Sequence, residues 1–188
     1  MARVPYLEQS DLSAENQDLL KRRINLFQAL VNSPDAARAF SGLGQFIRFG
    51  SKLDPRLREL AILQVGWLAR SPYEWSHHVK IGHDFGVTDD DVRALIDETA
   101  GKATTLDGMA KTVLLAAREM TAAKGMAGEA AMSDATFATL QAALGNEQVV
   151  DLTITIAFYN AVVRVLATLQ IDVEDDYMPY LRQFPLPA

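Results

Sequence analysis

Three dipeptides punctuate the first half of the chain: Ser33-Pro34, Asp54-Pro55 and Ser71-Pro72. Each pairs a residue that caps a helix N-terminus with a proline that suits the first helical turn, where no N–H is needed. Apolar residues at helical spacing follow each one. After Ser33 they are Ala37, Phe40, Leu43 and Phe46, with Gly50 as the expected end. After Asp54 a strongly apolar body runs from Leu57 to Leu68, and the segment opened by Ser71 is expected to end near Gly86. This punctuation predicts helices packed on helices.

The rest of the chain reads the same way. Ser13 is the expected N-cap of an earlier helix carrying Leu19, Leu20, Ile24, Phe27 and Leu30. Thr88 caps "TDDDVRALIDET", whose acidic first turn suits the positive end of a helix. Then come "LDGMAKTVLLAAREMTAAKG", a Gly/Ala-rich loop, and "SDATFATLQAALG". The last long helix, "NEQVVDLTITIAFYNAVVRVLATLQ", is apolar on most sides, which predicts burial in the core or at a subunit contact. Its β-branched run at 152–158 could pass for a strand, but no strand-and-turn signals flank it. "FPLPA" reads as a tail. The expectation is an all-α chain, with residues 1–188 as a single domain.

Composition removes several classes of function. With 49% hydrophobic and 22% charged residues, the 188-residue chain can bury a sizeable core and is not disordered. Its net charge of −6 and the lack of a basic stripe disfavour nucleic-acid binding. There is no cysteine, so disulfides, thiolate metal sites and thiol redox chemistry are excluded. The longest uncharged apolar stretch, 152–163, is too short to span a bilayer, and "MARVPYLEQSDLSAENQ" has no apolar h-region. A soluble, cytoplasmic protein with no membrane partner is expected.

Two of the three histidines fall in "SPYEWSHH", residues 71–78. Positions four apart lie about 40° apart around a helix, so Glu74 and His78 share a face. A carboxylate there can fix the imidazole tautomer and make the other ring nitrogen a better base. The same pair also arises as a modest surface contact, and both readings stay open on spacing alone. Tyr73 and Trp75 can supply walls for an organic substrate. His77 points roughly 100° away. A metal site built from Glu74, His77 and His78 is disfavoured, because adjacent histidines on one helix diverge.

Residues 56–96, "RLRELAILQVGWLARSPYEWSHHVKIGHDFGVTDDDVRALI", resemble the carboxymuconolactone decarboxylase and alkylhydroperoxidase D-like superfamily. In its peroxidase branch a glutamate precedes a Cys-x-x-Cys pair, and a histidine follows the second cysteine by four. Glu59 sits at the position of that glutamate, Ser71 and Glu74 occupy the places of the cysteines, and His78 matches the histidine. The decarboxylase branch instead has a glutamate four residues before the histidine, as in "EWSHH". "NSPDAARAFSGLGQFI" resembles the leading helices of longer members. "AFYNAVVRVLATLQIDVEDD" resembles their last core helix, with Tyr159, Asn160 and Arg164 as its polar residues.

The resemblance implies an alkylhydroperoxidase D-like helical bundle around a decarboxylase-type core at about 56–96, with helices 13–50 and 105–170 packed on it. It implies self-association into a homo-oligomer, a trimer or hexamer, and a role in aromatic compound catabolism. The implied activity is a lyase or isomerase that needs no cofactor and no metal. Decarboxylation, tautomerisation or lactone opening would act on a small carboxylated cyclic or enolic substrate. His78 would be the general acid/base, Glu74 its orienting partner and Glu59 a second proton-relay carboxylate. Arg164, Asn160 and Tyr159 would hold the substrate, with Trp67, Tyr73, Trp75 and His77 lining the pocket. On the residues alone, Arg164 can pair with Glu59 or Glu74, bind a substrate carboxylate, or form a salt bridge at a subunit contact. A non-catalytic oligomeric interaction module and a metal-dependent enzyme remain the alternatives. A buried, aromatic-lined cavity at Glu74 and His78 separates an enzyme from a module.

Overall fold

The computed structural model describes residues 2–121 and 131–187. Among them there is no strand. The helices are α1 (Asn25–Leu30), α2 (Pro34–Gln45), α3 (Pro55–Leu68), α4 (Pro72–Asp84), α5 (Asp89–Thr99), α6 (Gly108–Thr121), α7 (Asp134–Leu169) and α8 (Met178–Gln183), joined by loops and short 3-10 turns.

The caps form as the dipeptides predict. The Asp54 side chain accepts the Leu57 N–H at 3.0 Å, and the Ser71 hydroxyl accepts that of Glu74 at 3.4 Å. Thr88 and Asp91 make a reciprocal capping box. Ser33 caps α2 through its carbonyl alone, which accepts the Ala37 N–H at 2.9 Å. Helical turns continue to Gly50, but over Phe46–Gly50 they widen to a π turn.

The helix expected to start at Ser13 does not form. Residues 17–20 make a 3-10 turn, and α1 begins only at Asn25. Arg38 supplies a reason: its guanidinium binds both Asp18 oxygens, at 2.9 and 3.0 Å, and the Glu15 carbonyl at 3.1 Å. That fixes a turn where a helix would need its own carbonyls. The folded-back segment lets Leu7, Leu12 and Leu19 pack on Leu20, Val31 and Ala37 as a small separate cluster.

The main core centres on α3, where Leu60, Ala61, Leu63 and Val65 are fully buried against α4, α6 and α7. Gly66 lets α3 and α4 approach closely, because a Cβ there would lie 3.3 Å from the Trp75 backbone nitrogen. This approach sets Glu59 of α3 beside His78 of α4. Gly145, at φ 75° and ψ 171°, breaks α7 into the two helices read from the sequence. Those angles are open almost only to glycine.

The part of α6 expected beyond Thr121, and the Gly/Ala-rich loop after it, lie outside the described residues. By length and composition α7 could cross a membrane, contrary to the shorter stretch judged from uncharged residues. Yet 56% of its most apolar window is buried within this fold, as in a core helix. The C-terminal "tail" is part of the core: Phe184 is 3% exposed, and its carbonyl accepts the Trp75 indole N–H at 2.8 Å.

Candidate active site

His78 is held on both ring nitrogens by carboxylates. Its Nδ1 lies 2.6 Å from Glu59 Oε2, and its Nε2 lies 3.0 Å from Glu74 Oε1. The Glu74 oxygen is buried and off the line of a directional hydrogen bond, so this second contact is one of charge. Arg58 donates Nε and Nη2 to Glu59 Oε1 at 3.0 and 2.9 Å. All four side chains are buried. With His78 protonated, Arg58, Glu59, His78 and Glu74 sum to zero charge. A neutral imidazole would leave one negative charge buried without compensation, which is costly.

The titration directions follow from that balance. Burial alone pushes the His78 imidazolium down, but the charges of Glu74 and Glu59 and the hydrogen bond to Glu59 outweigh it and raise the pKa above 6.5. Burial likewise pushes Glu59 up, and His78 and Arg58 together pull it below 4.5. Tyr159 meets His78 edge-on at 4.9 Å. Burial, then the charges of Glu74 and Glu59, hold its phenol well above the usual range, against the nearby charge of Arg48.

The neighbouring histidine has the opposite character. His77 Nε2 lies 2.7 Å from Glu174 Oε2, and its ring is stacked between Tyr73 and Tyr177 at 4.0 and 3.5 Å. Burial is the largest influence and pushes its pKa down, even against Glu174. Glu174 stays ionised because the His77 hydrogen bond and the Asn25 N–H, 2.6 Å away, overcome its burial. A neutral His77 therefore donates Nε2–H to a carboxylate. Tyr73 donates its hydroxyl to the other oxygen of Glu174 at 3.1 Å.

A cavity of about 670 Å³ opens on this region. Glu74, His77 and His78 form part of its wall, with Tyr73, Tyr159, Phe27, Phe40, Phe49 and Phe158 as the aromatic surface. Glu59 lies behind His78 and does not line it, so it occupies the orienting position that the sequence reading gave to Glu74. Glu74 and the imidazole both face the cavity. The reversal arises because Nδ1 points back toward α3, from which Glu59 projects.

Four expected site residues lie elsewhere. Trp75 is fully buried, with Trp67 packed on it at 5.1 Å, and neither lines the cavity. Arg164 is exposed and folds back onto its own helix, bonding the carbonyl and side chain of Asn160. Asn160 is tied to Thr121 and to the Ile156 carbonyl. Neither Arg164 nor Asn160 lines the cavity, and Arg164 makes no ion pair with Glu59 or Glu74. No group of three or more His, Cys, Asp or Glu among the described residues has metal-binding geometry, because His77 and His78 diverge to different carboxylates.

The sequence reading missed Arg48, Arg58, Glu174 and Tyr177. Arg48 stood out as the lone charge in "FIRF". Glu174 and Tyr177, in an acidic run far from α4 along the chain, carried no such signal.

The sequence model of the Carboxymuconolactone decarboxylase family matches residues 34–117. That span holds Arg48, Arg58, Glu59, Glu74, His77 and His78. Over that span the chain resembles the family in sequence. Its fold agrees over almost the full length with the alkylhydroperoxidase AhpD core of an uncharacterised peroxidase-related protein from Ralstonia eutropha JMP134. There the identity is 19%, the coverage 96% of this chain and 95% of the other, and the TM-score 0.74. A cysteine-to-alanine variant of the debrominase Bmp8, in complex with 2,3,4-tribromopyrrole, matches at 19% identity, 97% coverage of both chains and TM-score 0.71. A protein of unknown function from Agrobacterium tumefaciens matches at 20% identity over 82% of this chain and 99% of its own, with TM-score 0.67. Among curated proteins none matches.

At these identities the structural likeness shows the fold alone. Within the decarboxylase-like frame, Tyr159, Glu174 and the N-terminal wall of the cavity lie outside the family span. Having no cysteine, this chain cannot run a thiol peroxidase cycle.

Proposed function

We propose that the protein is a lyase or isomerase that moves protons by carboxylate–imidazole chemistry on a small carboxylated cyclic or enolic compound. The observation that supports this reading is the buried His78, braced by Glu59 and Arg58 from behind and facing Glu74 on the cavity wall. Such a pair offers a base, Glu74, and an acid, His78, at one place.

In decarboxylation the carbon–carbon bond to the carboxylate breaks, CO₂ leaves, and the electron pair stays on the substrate as a dienolate. That dienolate takes its proton at carbon from the His78–Glu74 pair, and solvent restores the proton. In tautomerisation Glu74 removes a proton from one carbon and the pair returns one to another. The imidazolium stabilises developing negative charge in both, within a cavity walled largely by aromatic rings. A cytoplasmic homo-oligomer of this enzyme belongs to the same proposal and rests on the family frame.

The test is an ultraviolet assay of wild type, His78→Ala and Glu74→Gln on muconolactones and related unsaturated keto- and enol-acids, followed by deuterium uptake from solvent. Turnover and uptake by wild type alone is expected, with all three proteins folded by circular dichroism. An active, folded His78→Ala protein would overturn the assignment.

A further inference from the structure

The protein carries a net charge of −6, yet its cavity is lined by more cations than acids. Asp18 and Glu74 face Lys21, Arg22, Arg38 and Arg48, beside His78. Of the arginines, Arg38 is already committed to Asp18. Arg22 and Arg48 are half-buried and have no carboxylate partner among the described residues. Arg48 lies near enough to Tyr159 to act on its phenol and lies over the Phe49 ring at 6.0 Å. A guanidinium has five N–H donors, so a bidentate carboxylate contact remains open to it.

Their positions differ in a useful way. Arg48 stands on the π turn after α2 and lines the cavity with Tyr159, which meets His78 edge-on, so it lies toward the reacting end. Arg22 stands on the folded-back N-terminal segment, which lines the cavity with Leu19 and Ile24 as well. That segment is held in place by Arg38, whose bonds to Glu15 and Asp18 prevent a straight helix. An acidic protein that keeps two uncommitted guanidinium groups in its aromatic-lined cavity attracts an anion there.

We infer that Arg48 and Arg22 are the substrate anchors of this site and that its ligand is a planar, unsaturated dicarboxylate, with Arg48 holding the carboxylate nearer His78. This inference rests on the proposed acid–base reading for its reaction but not for its binding. The exposed Arg164, bonded back onto its own helix, has no part in it.

Calorimetric titration of the full chain with benzene-1,3-dicarboxylate, benzoate and benzamide tests it without requiring turnover. The dicarboxylate is expected to bind tightest and benzamide weakest. Arg48→Gln and Arg22→Gln should each weaken dicarboxylate binding about tenfold to a hundredfold, the range for one charge-assisted contact. Arg164→Gln should bind as wild type. If Arg48→Gln does not fold, Arg48→Lys, which keeps the charge and loses the bidentate fork, should still show weakened binding. Equal binding of all three ligands, no binding by wild type, or losses no greater in the Arg22 and Arg48 variants than in Arg164→Gln would overturn the inference. Arginine-dependent binding with no turnover across the keto- and enol-acid panel would instead reject the acid–base reading and leave the anchors standing.

Discussion

Replacing Glu59 by glutamine keeps the shape of the side chain and removes one charge from a buried row of four. The carboxylate is 1% exposed and serves two cations, with Oε1 bonded to Arg58 and Oε2 to His78. A glutamine has one carbonyl oxygen, so one of the two cations would face an NH₂ group, donor against donor. Breaking a buried pair by removing one partner costs about 3–5 kcal/mol, because the other charge stays buried and uncompensated. With two partners affected, Glu59→Gln should fall in the upper part of that range. Glu74→Gln should cost less, because Glu74 makes a single contact without directional geometry and borders the cavity.

The pH dependence sharpens the test. The folded pKa of His78 is raised above its ordinary 6.5, so its stabilisation is complete below that value and is lost as pH rises through the folded pKa. The folded pKa of Glu59 is depressed below 4.5, so its contribution is complete above that value and is lost as pH falls through the folded pKa. Wild type should therefore be most stable between these two values as far as this pair is concerned, and should weaken on the alkaline side. In Glu59→Gln the His78 pKa drops and the alkaline decline shrinks. Urea unfolding at about pH 5.5 and about pH 8.5, with the His78 ring protons followed by NMR, measures both effects. A variant within about 1 kcal/mol of wild type at the lower pH, with an unchanged His78 titration, would refute the four-charge row.

Other perturbations separate packing from chemistry. Gly66→Ala should cost about 1–3 kcal/mol, since the new Cβ presses on the Trp75 backbone and drives α4 from α3. It should also lower the His78 pKa by lengthening the Glu59 contact, which the same NMR titration reads. Trp75→Phe should lose about 1–2 kcal/mol through the indole bond to the Phe184 carbonyl and leave KM unchanged, because Trp75 does not line the cavity. A raised KM would return Trp75 to the substrate wall. Glu174→Ala removes the acceptor shared by His77, Tyr73 and the Asn25 N–H, so it should cost about 1–3 kcal/mol and speed proteolysis between α7 and α8. Unchanged cleavage would show that the stacked rings alone hold that segment down.

What could be read in advance divides along the range of the interactions. Caps act across three residues, so Asp54, Ser71 and Thr88 announce their helices, and Gly145 marks its break, without help from the rest of the fold. Ser13 offers the same local signal and fails, because Arg38, far along the chain, claims the Glu15 carbonyl and the Asp18 carboxylate. The site follows the same rule. That Glu74 and His78 meet is a matter of one helix, and four-residue spacing is enough. That the His78 pKa is raised while that of His77 is lowered depends on Glu59 from α3 and on the burial of His77 under Tyr177 from beyond α7, and nothing in "SHH" distinguishes the two rings.

The anchors show where periodicity gives out. In a helix apolar on most sides, spacing cannot say which face meets solvent, so the lone Arg164 in α7 reads equally as a partner of Glu59 or Glu74, a ligand to substrate, or a salt bridge at a subunit contact. Arg48 was an equally lone charge among aromatics, but it sits on a π turn, and that widening gives it a direction no regular helix would. The cavity wall is thus assembled from one family-type pair and from segments whose course depends on distant arginines. Changes at Arg22, Arg38 or Arg48 should therefore alter which anion enters, while the proton chemistry proposed for Glu74 and His78 is left in place.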